Sequence, residues 1–251
     1  MRGRREHPSD ELVYGRRPVW EVLRAGKRSL HKLWMVRGTA GEVVEEILKF
    51  SRERGVAIDW VQRPQLDRMV RGNHQGVAAR VSAVAYLELD PFLEKLPQDQ
   101  AIFLLGLDEI EDPQNIGAIL RNAGFFGVQA VLVPRWRGAP VSEAALRASA
   151  GAADHVPVIR VGNFVQTLDR LKERGFEVWG ADMSGEPLGS QERGRRLVLM
   201  LGSEGKGLRR LVKEHCDKLV GIPAGANVGS LNVASASAIF LYEFCRRSFR
   251  R

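Results

Sequence analysis

At 251 residues, 44% hydrophobic and 27% charged, the chain has the length and make-up of one large or two modest globular domains. No apolar run approaches the ~20 residues of a membrane span, the charged start lacks the apolar core of a signal peptide, and Cys216 and Cys245 are too few for a disulfide framework, so a cytoplasmic protein is expected. The net charge of +8, from 38 basic against 30 acidic residues, favours a polyanionic partner, RNA or DNA, over a generically basic surface.

Residues 1–10 are polar and arginine-rich (Arg2, Arg4, Arg5), without period, and read as a disordered basic tail. Pro18 to Leu23 fits a short helix stopped by Gly26, Leu30 to Val36 a strand, and Gly41 to Arg54 an amphipathic helix ending at Gly55. Val56 to Val61 reads as a strand, Pro64 to Val70 as a short helix and Gly76 to Val84 as a strand. Residues 11–85 therefore form a small α/β domain, and 86–100, with Pro91, Pro97 and scattered acids, read as a linker.

From 101 onward the pattern changes. Ala101 to Leu107 is a continuous apolar run, the mark of a strand covered on both faces. A helix is expected over Ile116 to Phe126, a strand over Gln129 to Val133, a helix over Val141 to Ala150 and an extended piece over Val156 to Val161. Asn163 caps a helix that Gly175 stops, and Phe176 to Ala181 is a strand. Leu197 to Leu201 and Lys218 to Ile222 are two more apolar runs, each ending in a loop of small residues that leads into a helix. Strands alternating with helices predict a parallel sheet over 101–251, with ligands at the carboxyl ends of its strands.

Several standard sites are excluded. Gly202-Ser203-Glu204-Gly205-Lys206-Gly207 has neither the spacing nor the Ser or Thr after Lys of a Walker loop. No G-x-G-x-x-G follows a strand, no G-x-S-x-G is present, and the five histidines show no metal-binding spacing. Three loops remain. One carries Asn115 and Arg121, one Glu204, and one Ser230 and Asn232. Singly, Asn115, Glu204, Ser230 and Asn232 read equally well as helix caps and Arg121 as a surface charge; together in one domain they read as a site.

These segments also carry a family resemblance. Asp112-Pro113-Gln114-Asn115-Ile116-Gly117-Ala118-Ile119-Leu120-Arg121, the Gly202–Gly207 loop and Ile222-Pro223 with Ser230-Leu231-Asn232-Val233-Ala234 resemble the three motifs of the SpoU/TrmH branch of the SPOUT methyltransferases. Ser149-Ala150-Gly151-Ala152 is similar to the family's linker segment. Tyr14-Gly15, Pro18-Val19 and His74-Gln75-Gly76-Val77-Ala78 are similar to the ends of the L30e-like substrate domain of its bacterial rRNA guanosine 2′-O-methyltransferases. Ala224 departs from the pattern, since many relatives carry Met after the third-motif proline, and a change in packing near the cofactor is expected there.

The resemblance implies an α/β fold in which a smaller L30e-like RNA substrate-binding domain (11–85) precedes a SPOUT methyltransferase domain (101–251) with a deep trefoil knot. It implies S-adenosylmethionine as cofactor, a ribose 2′-hydroxyl of RNA as acceptor, and a homodimer joined through the knotted domain. A guanosine of 23S rRNA is the expected target, with a tRNA enzyme and a non-catalytic RNA-binding protein on the same fold as the alternatives. By motif position, Gly202, Gly207, Ile222, Pro223 and Leu231 should hold the cofactor. Arg121, Asn115, Glu204, Ser230 and Asn232 should form the reaction site, and Arg16, Arg17, His74, Gln75, Arg135 and Arg137 should meet the RNA. The family's proposed base is the motif arginine. A guanidinium stays protonated, so Arg121 is better placed to hold the developing alkoxide and a phosphate, while phosphate or water takes the proton.

Overall fold

The computed structural model describes residues 10–135, 141–190, 192–225 and 230–246. The tail arginines, Arg137 beside Trp136, and Arg247, Arg250 and Arg251 lie outside the described residues. Two compact units are present, one of the described residues to Ala85 together with Ala150–His155, the other of Tyr86–Ser149 and the residues from Val156. Among the described residues no helix is long and apolar enough to cross a membrane.

The first unit runs β1 (Glu11–Tyr14), α1 (Arg16–Ala25), β2 (Leu30–Val36), α2 (Glu42–Glu53), β3 (Ile58–Val61), α3 (Arg63–Met69) and β4 (Val77–Val81). Its sheet has the order β1-β4-β2-β3, with β4 antiparallel to both neighbours and β2 parallel to β3. Alternation along the strands divides the core. Leu33, Met35, Val77 and Ala79 pack with Val19, Val22 and Leu23 of α1 and with Val44 and Ile47 of α2. Trp34 and Ala78 point the other way, against Leu66 of α3 and Val70. Strand β1 is an addition to the expected elements. It is held by pairing with β4 and by the buried Arg28, which donates to Glu11 at 2.7 Å and to the Ser82 carbonyl at 2.6 Å. Arg28 also faces Asp154 at 3.5 Å; burial pushes that carboxyl up, against the opposing pull of the guanidinium.

The second unit continues with β5 (Tyr86–Leu87), α4 (Leu89–Glu94), β6 (Ile102–Asp108), α5 (Pro113–Phe126), β7 (Ala130–Pro134), α6 (Glu143–Ala148), β8 (Val158–Val161), α7 (Phe164–Glu173), β9 (Glu177–Pro187), β10 (Arg196–Gly202), α8 (Arg210–Glu214), β11 (Lys218–Gly221) and α9 (Val233–Cys245). The stretch expected as a linker is part of this unit: β5 pairs with β8, and Leu89, Leu93 and Leu96 enter its core. The seven strands are ordered β11-β9-β10-β6-β7-β8-β5, and every pairing is parallel. Strand β6 is buried along its whole length, as its apolar run requires. Ile102 and Leu104 face α4 and α7, whereas the Phe103 ring meets Phe244 of α9 edge-on, with centroids 5.6 Å apart. Strand order reverses between β6 and β10, which puts the loops after these two strands side by side.

Helices α5 and α6 approach closely at Gly117. A Cβ there would lie 2.4 Å from both the Ala145 carbonyl oxygen and Ala148 Cβ. Gly117→Val should therefore lower stability by about 1–3 kcal/mol, the usual cost of overpacking. A denaturant midpoint equal to that of the parent would contradict this packing.

Candidate active site

Helix α5 begins with Asp112, whose carboxylate accepts the Gln114 N–H at 3.0 Å, followed by Pro113 at the first helical position. Asn115 is therefore not the cap. It is buried in the first turn, and its amide nitrogen donates to Glu204 Oε1 at 3.1 Å. Asn232 does cap its helix: Oδ1 accepts the N–H groups of Ala234 and Ser235 at 2.9 and 3.2 Å. Its Nδ2 donates to Asn115 Oδ1 at 2.8 Å and to Glu204 Oε1 at 2.5 Å. The Val233 N–H adds a third donor to the same carboxylate oxygen at 3.3 Å. Glu204 thus caps the start of α9 rather than the helix that follows it in sequence, and it joins three loops.

Glu204 sits in a turn closed by paired hydrogen bonds between Ser203 and Gly207, of 3.1 and 2.9 Å. Gly205 and Gly207 occupy the left-handed region, with φ of 82° and 67°. Gly202 is glycine for another reason: a Cβ there would come within 2.1 Å of the Gly207 carbonyl carbon. The turn is anchored from beneath by Asp108, which is fully buried. Its carboxylate accepts the Arg209 N–H at 2.9 Å and two guanidinium nitrogens at 2.7 Å. Asn122 ties α5 to α9 by donating to the Ala234 carbonyl and to Ser237 Oγ, both at 2.9 Å.

A cleft of about 730 Å³ opens between the loops after β10 and β11. Every expected cofactor residue lines it: Gly202, Gly207, Ile222, Pro223 and Leu231. Glu204 and Ser230 also line it, as does the departing Ala224. The opposite wall, Ala181, Asp182 and Met183 of β9, escaped the sequence reading. Burial alone would raise the Asp182 carboxyl. The Lys213 ammonium at 2.7 Å and the hydroxyl and amide of Ser184 outweigh it and hold that carboxyl below its usual range.

The remaining expected residues divide. Arg121 is exposed on α5 about 9 Å of helix rise beyond Asn115, and among the described residues it makes no ion pair. It is not drawn into the Asn115–Glu204–Asn232 cluster. Arg135 is exposed beside Glu88 at 3.7 Å, and Arg17 is exposed on α1. In the first unit, Arg16 donates its Nε to the Gln75 carbonyl at 3.1 Å, and its backbone N–H goes to the Gln75 side chain at 3.3 Å. His74 corrects the expectation of an RNA contact. It is 2% exposed, with one ring nitrogen on Asp67 at 2.8 Å and the other accepting the Gly76 N–H at 2.9 Å. It builds the turn that presents Gln75.

Comparison with known proteins finds two family matches. Residues 102–242 match the SpoU rRNA Methylase family, and residues 12–87 match RNA 2′-O ribose methyltransferase substrate binding. The chain is 40% identical over 240 residues, 94% of its length and 96% of the relative's, to the Bacillus subtilis protein YacO, which is assigned to the TrmH family of tRNA/rRNA methyltransferases. In fold it is similar to the SpoU methyltransferase AviRb of Streptomyces viridochromogenes, solved with AdoMet, with TM-score 0.78 and 24% identity over 96% of this chain and 91% of that one. It is also similar to the TrmH/SpoU tRNA modifying enzyme of A. aeolicus, with TM-score 0.53 and 27% identity. That match spans 62% of this chain and 80% of the other.

Both thiols are held in the protonated form. Burial pushes Cys216 up to about 12, against the pull of Lys172, and Cys245 up to about 11, against Arg193. Both thiols should resist iodoacetamide at pH 8 in the folded protein and react once it is denatured, as read by mass spectrometry. Rapid native labelling of the half-buried Cys216 would contradict its raised thiol.

Proposed function

The chain belongs to the SpoU/TrmH family of RNA ribose 2′-O-methyltransferases, and we propose that it methylates a guanosine ribose of 23S rRNA as a cytoplasmic homodimer using S-adenosylmethionine. The observation that carries this reading is the Asn115–Glu204–Asn232 cluster set at the edge of the cleft. The 23S assignment is supported by the substrate-binding match at residues 12–87, since the similarity to the tRNA modifying enzyme spans only 62% of the chain.

The cleft fits the cofactor. Its volume falls within the ~300–1,000 Å³ of small-molecule sites, and its walls combine apolar side chains with bare glycine backbone. Ile222, Pro223 and Leu231 would hold the cofactor, and the charged groups at the wall, Glu204, Lys206 and an Asp182 paired with Lys213, are of both signs, as are those of the cofactor. When bound, S-adenosylmethionine supplies an already activated methyl on a sulfonium. The chain's own residues then have to seat the acceptor ribose and stabilise the charge that develops on its 2′-oxygen. Asn115 and Asn232 spend their amides on holding Glu204 in a rigid cluster, which leaves Glu204 and the Ser230 hydroxyl, both lining the cleft, to orient the ribose. Arg121 donates its paired N–H groups to the alkoxide and an adjacent phosphate, and phosphate or water accepts the proton.

A second copy accounts for the position of Arg121. Helices α5 and α9 pack together, and both expose large apolar side chains: Phe125 is 79% exposed and Tyr242 59%, with Ile239 nearby in sequence. We assign this face to the dimer contact, with the trefoil threading carried by the same region.

Arg121→Ala should lower turnover by roughly 10²–10³ with cofactor affinity near the parent's, and Arg121→Lys should restore little, because a point charge cannot replace the planar fork. Leu231→Trp should weaken cofactor binding in calorimetry. Gly202 is unsuited to that test, since any side chain there breaks the turn. A ribose product protects its linkage from alkali, so methyl label should be recovered in alkali-resistant dinucleotides. Label found only in mononucleotides would refute ribose methylation, and label in tRNA but not 23S rRNA would move the target.

A further inference from the structure

The first unit carries a second cavity, of about 590 Å³, at one edge of its sheet. It gathers Arg16 after β1, Arg37 and Thr39 after β2, Arg63 after β3, and Gln75 with Gly76 before β4. All four strands end or begin at this edge because β4 runs antiparallel to β1 and β2. No carboxylate lines the cavity, and among the described residues none of its arginines forms an ion pair. The groups it offers are therefore mainly donors: guanidinium N–H groups, the Gln75 amide and the Thr39 hydroxyl. Uncompensated like charges around one hollow repel each other, and an anion placed among them removes that cost.

The backbone is prepared for the same purpose. Gln75 adopts φ of 50°, uncommon for a residue with a side chain, next to Gly76 at 84°. His74 and Asp67 lock this turn from inside, and Arg16 locks it from outside through both its Nε and its backbone N–H. Arg16 spends Nε on this anchorage, which leaves its terminal nitrogens to a ligand. Gly76 could not be otherwise: a Cβ would lie 2.3 Å from Thr39 Oγ1.

We infer that this cavity is a receptor for a phosphodiester of the RNA backbone, a site that positions the substrate strand without reading its bases. The inference rests on the RNA-methyltransferase reading above, and it adds to that reading the group recognised and the residues that recognise it. A donor-rich, carboxylate-free hollow suits phosphate oxygens, whereas a base edge would also require acceptors.

The test is anisotropy of a fluorescein-labelled RNA hairpin titrated with the full chain at salt concentrations from about 50 to 200 mM. Each of Arg37→Gln and Arg63→Gln should reduce the slope of log K against log salt by about 1, and the double variant should combine the two losses. Lysine at the same positions should keep the slope, and Lys49→Gln on exposed α2 should leave it unchanged. Arg16→Gln should weaken binding further, but because it also loosens the turn, the Arg37 and Arg63 variants decide. S-adenosylmethionine affinity should be the same in every variant. A double variant with parental affinity and slope overturns the phosphate site and leaves the proposed reaction standing. A parent chain that binds no RNA overturns both.

Discussion

One carboxylate oxygen organises the candidate site. Glu204 Oε1 accepts from Asn115, 89 residues away, and from Asn232 and Val233 at the start of the last helix. The parallel pairing of β6 with β10 makes two of these loops neighbours, and Glu204 recruits the third. Hydrogen bonds to an ionised acceptor are the strong kind, and Asn115 is too buried to exchange its partner for water. Losing Glu204 would strand a buried amide at a cost of about 1–3 kcal/mol. The Asp108–Arg209 pair makes the arrangement stiff by fixing the far end of the same turn. A site held this way presents its polar rim before substrate arrives, which favours orientation over adjustment.

The two units divide the chemistry by the kind of group they offer. The cleft of the second unit is walled by glycine backbone and aliphatic side chains, with Glu204, Lys206 and the Lys213-paired Asp182 as its charged groups, suited to a small ligand of mixed polarity. The cavity of the first is walled by guanidinium and amide donors, suited to a polyanion. The overall charge of +8 includes arginines of two kinds: Arg16, Arg37 and Arg63 line the cavity of the first unit, while Arg28 and Arg209 are consumed in holding backbone and loops.

What could be read beforehand follows the range of the interactions involved. The apolar run of β6, the Gly26 stop and the Asn163 cap are local signals, and the structure has them where they were expected. Strand β1 was invisible because four residues after a polar tail carry no period; their order comes from β4 and Arg28. Pro91 and Pro97 hid the packing of Leu89, Leu93 and Leu96, and Asp182 to Gly185 looked too polar to extend β9, which does so by pairing with β11 across a bulge. Within the site, residue types and loop positions were legible, and the motif resemblance sharpened them. The partners were not: nothing local told that Asp112 rather than Asn115 caps α5, that Asp108 in an acidic loop is wholly buried, or that His74 turns inward.

The most direct measurement is hydrogen exchange at the Val233 amide, combined with calorimetry of S-adenosylmethionine, in Glu204→Ala and the parent. If Glu204 gathers the loops, the variant should lose protection at Val233 and in the first turn of α9 while its sheet amides keep theirs, and cofactor affinity should fall at least about tenfold, or 1.4 kcal/mol. Parental protection at Val233 together with parental affinity would mean that the loops hold themselves, and that the account built on this carboxylate is wrong.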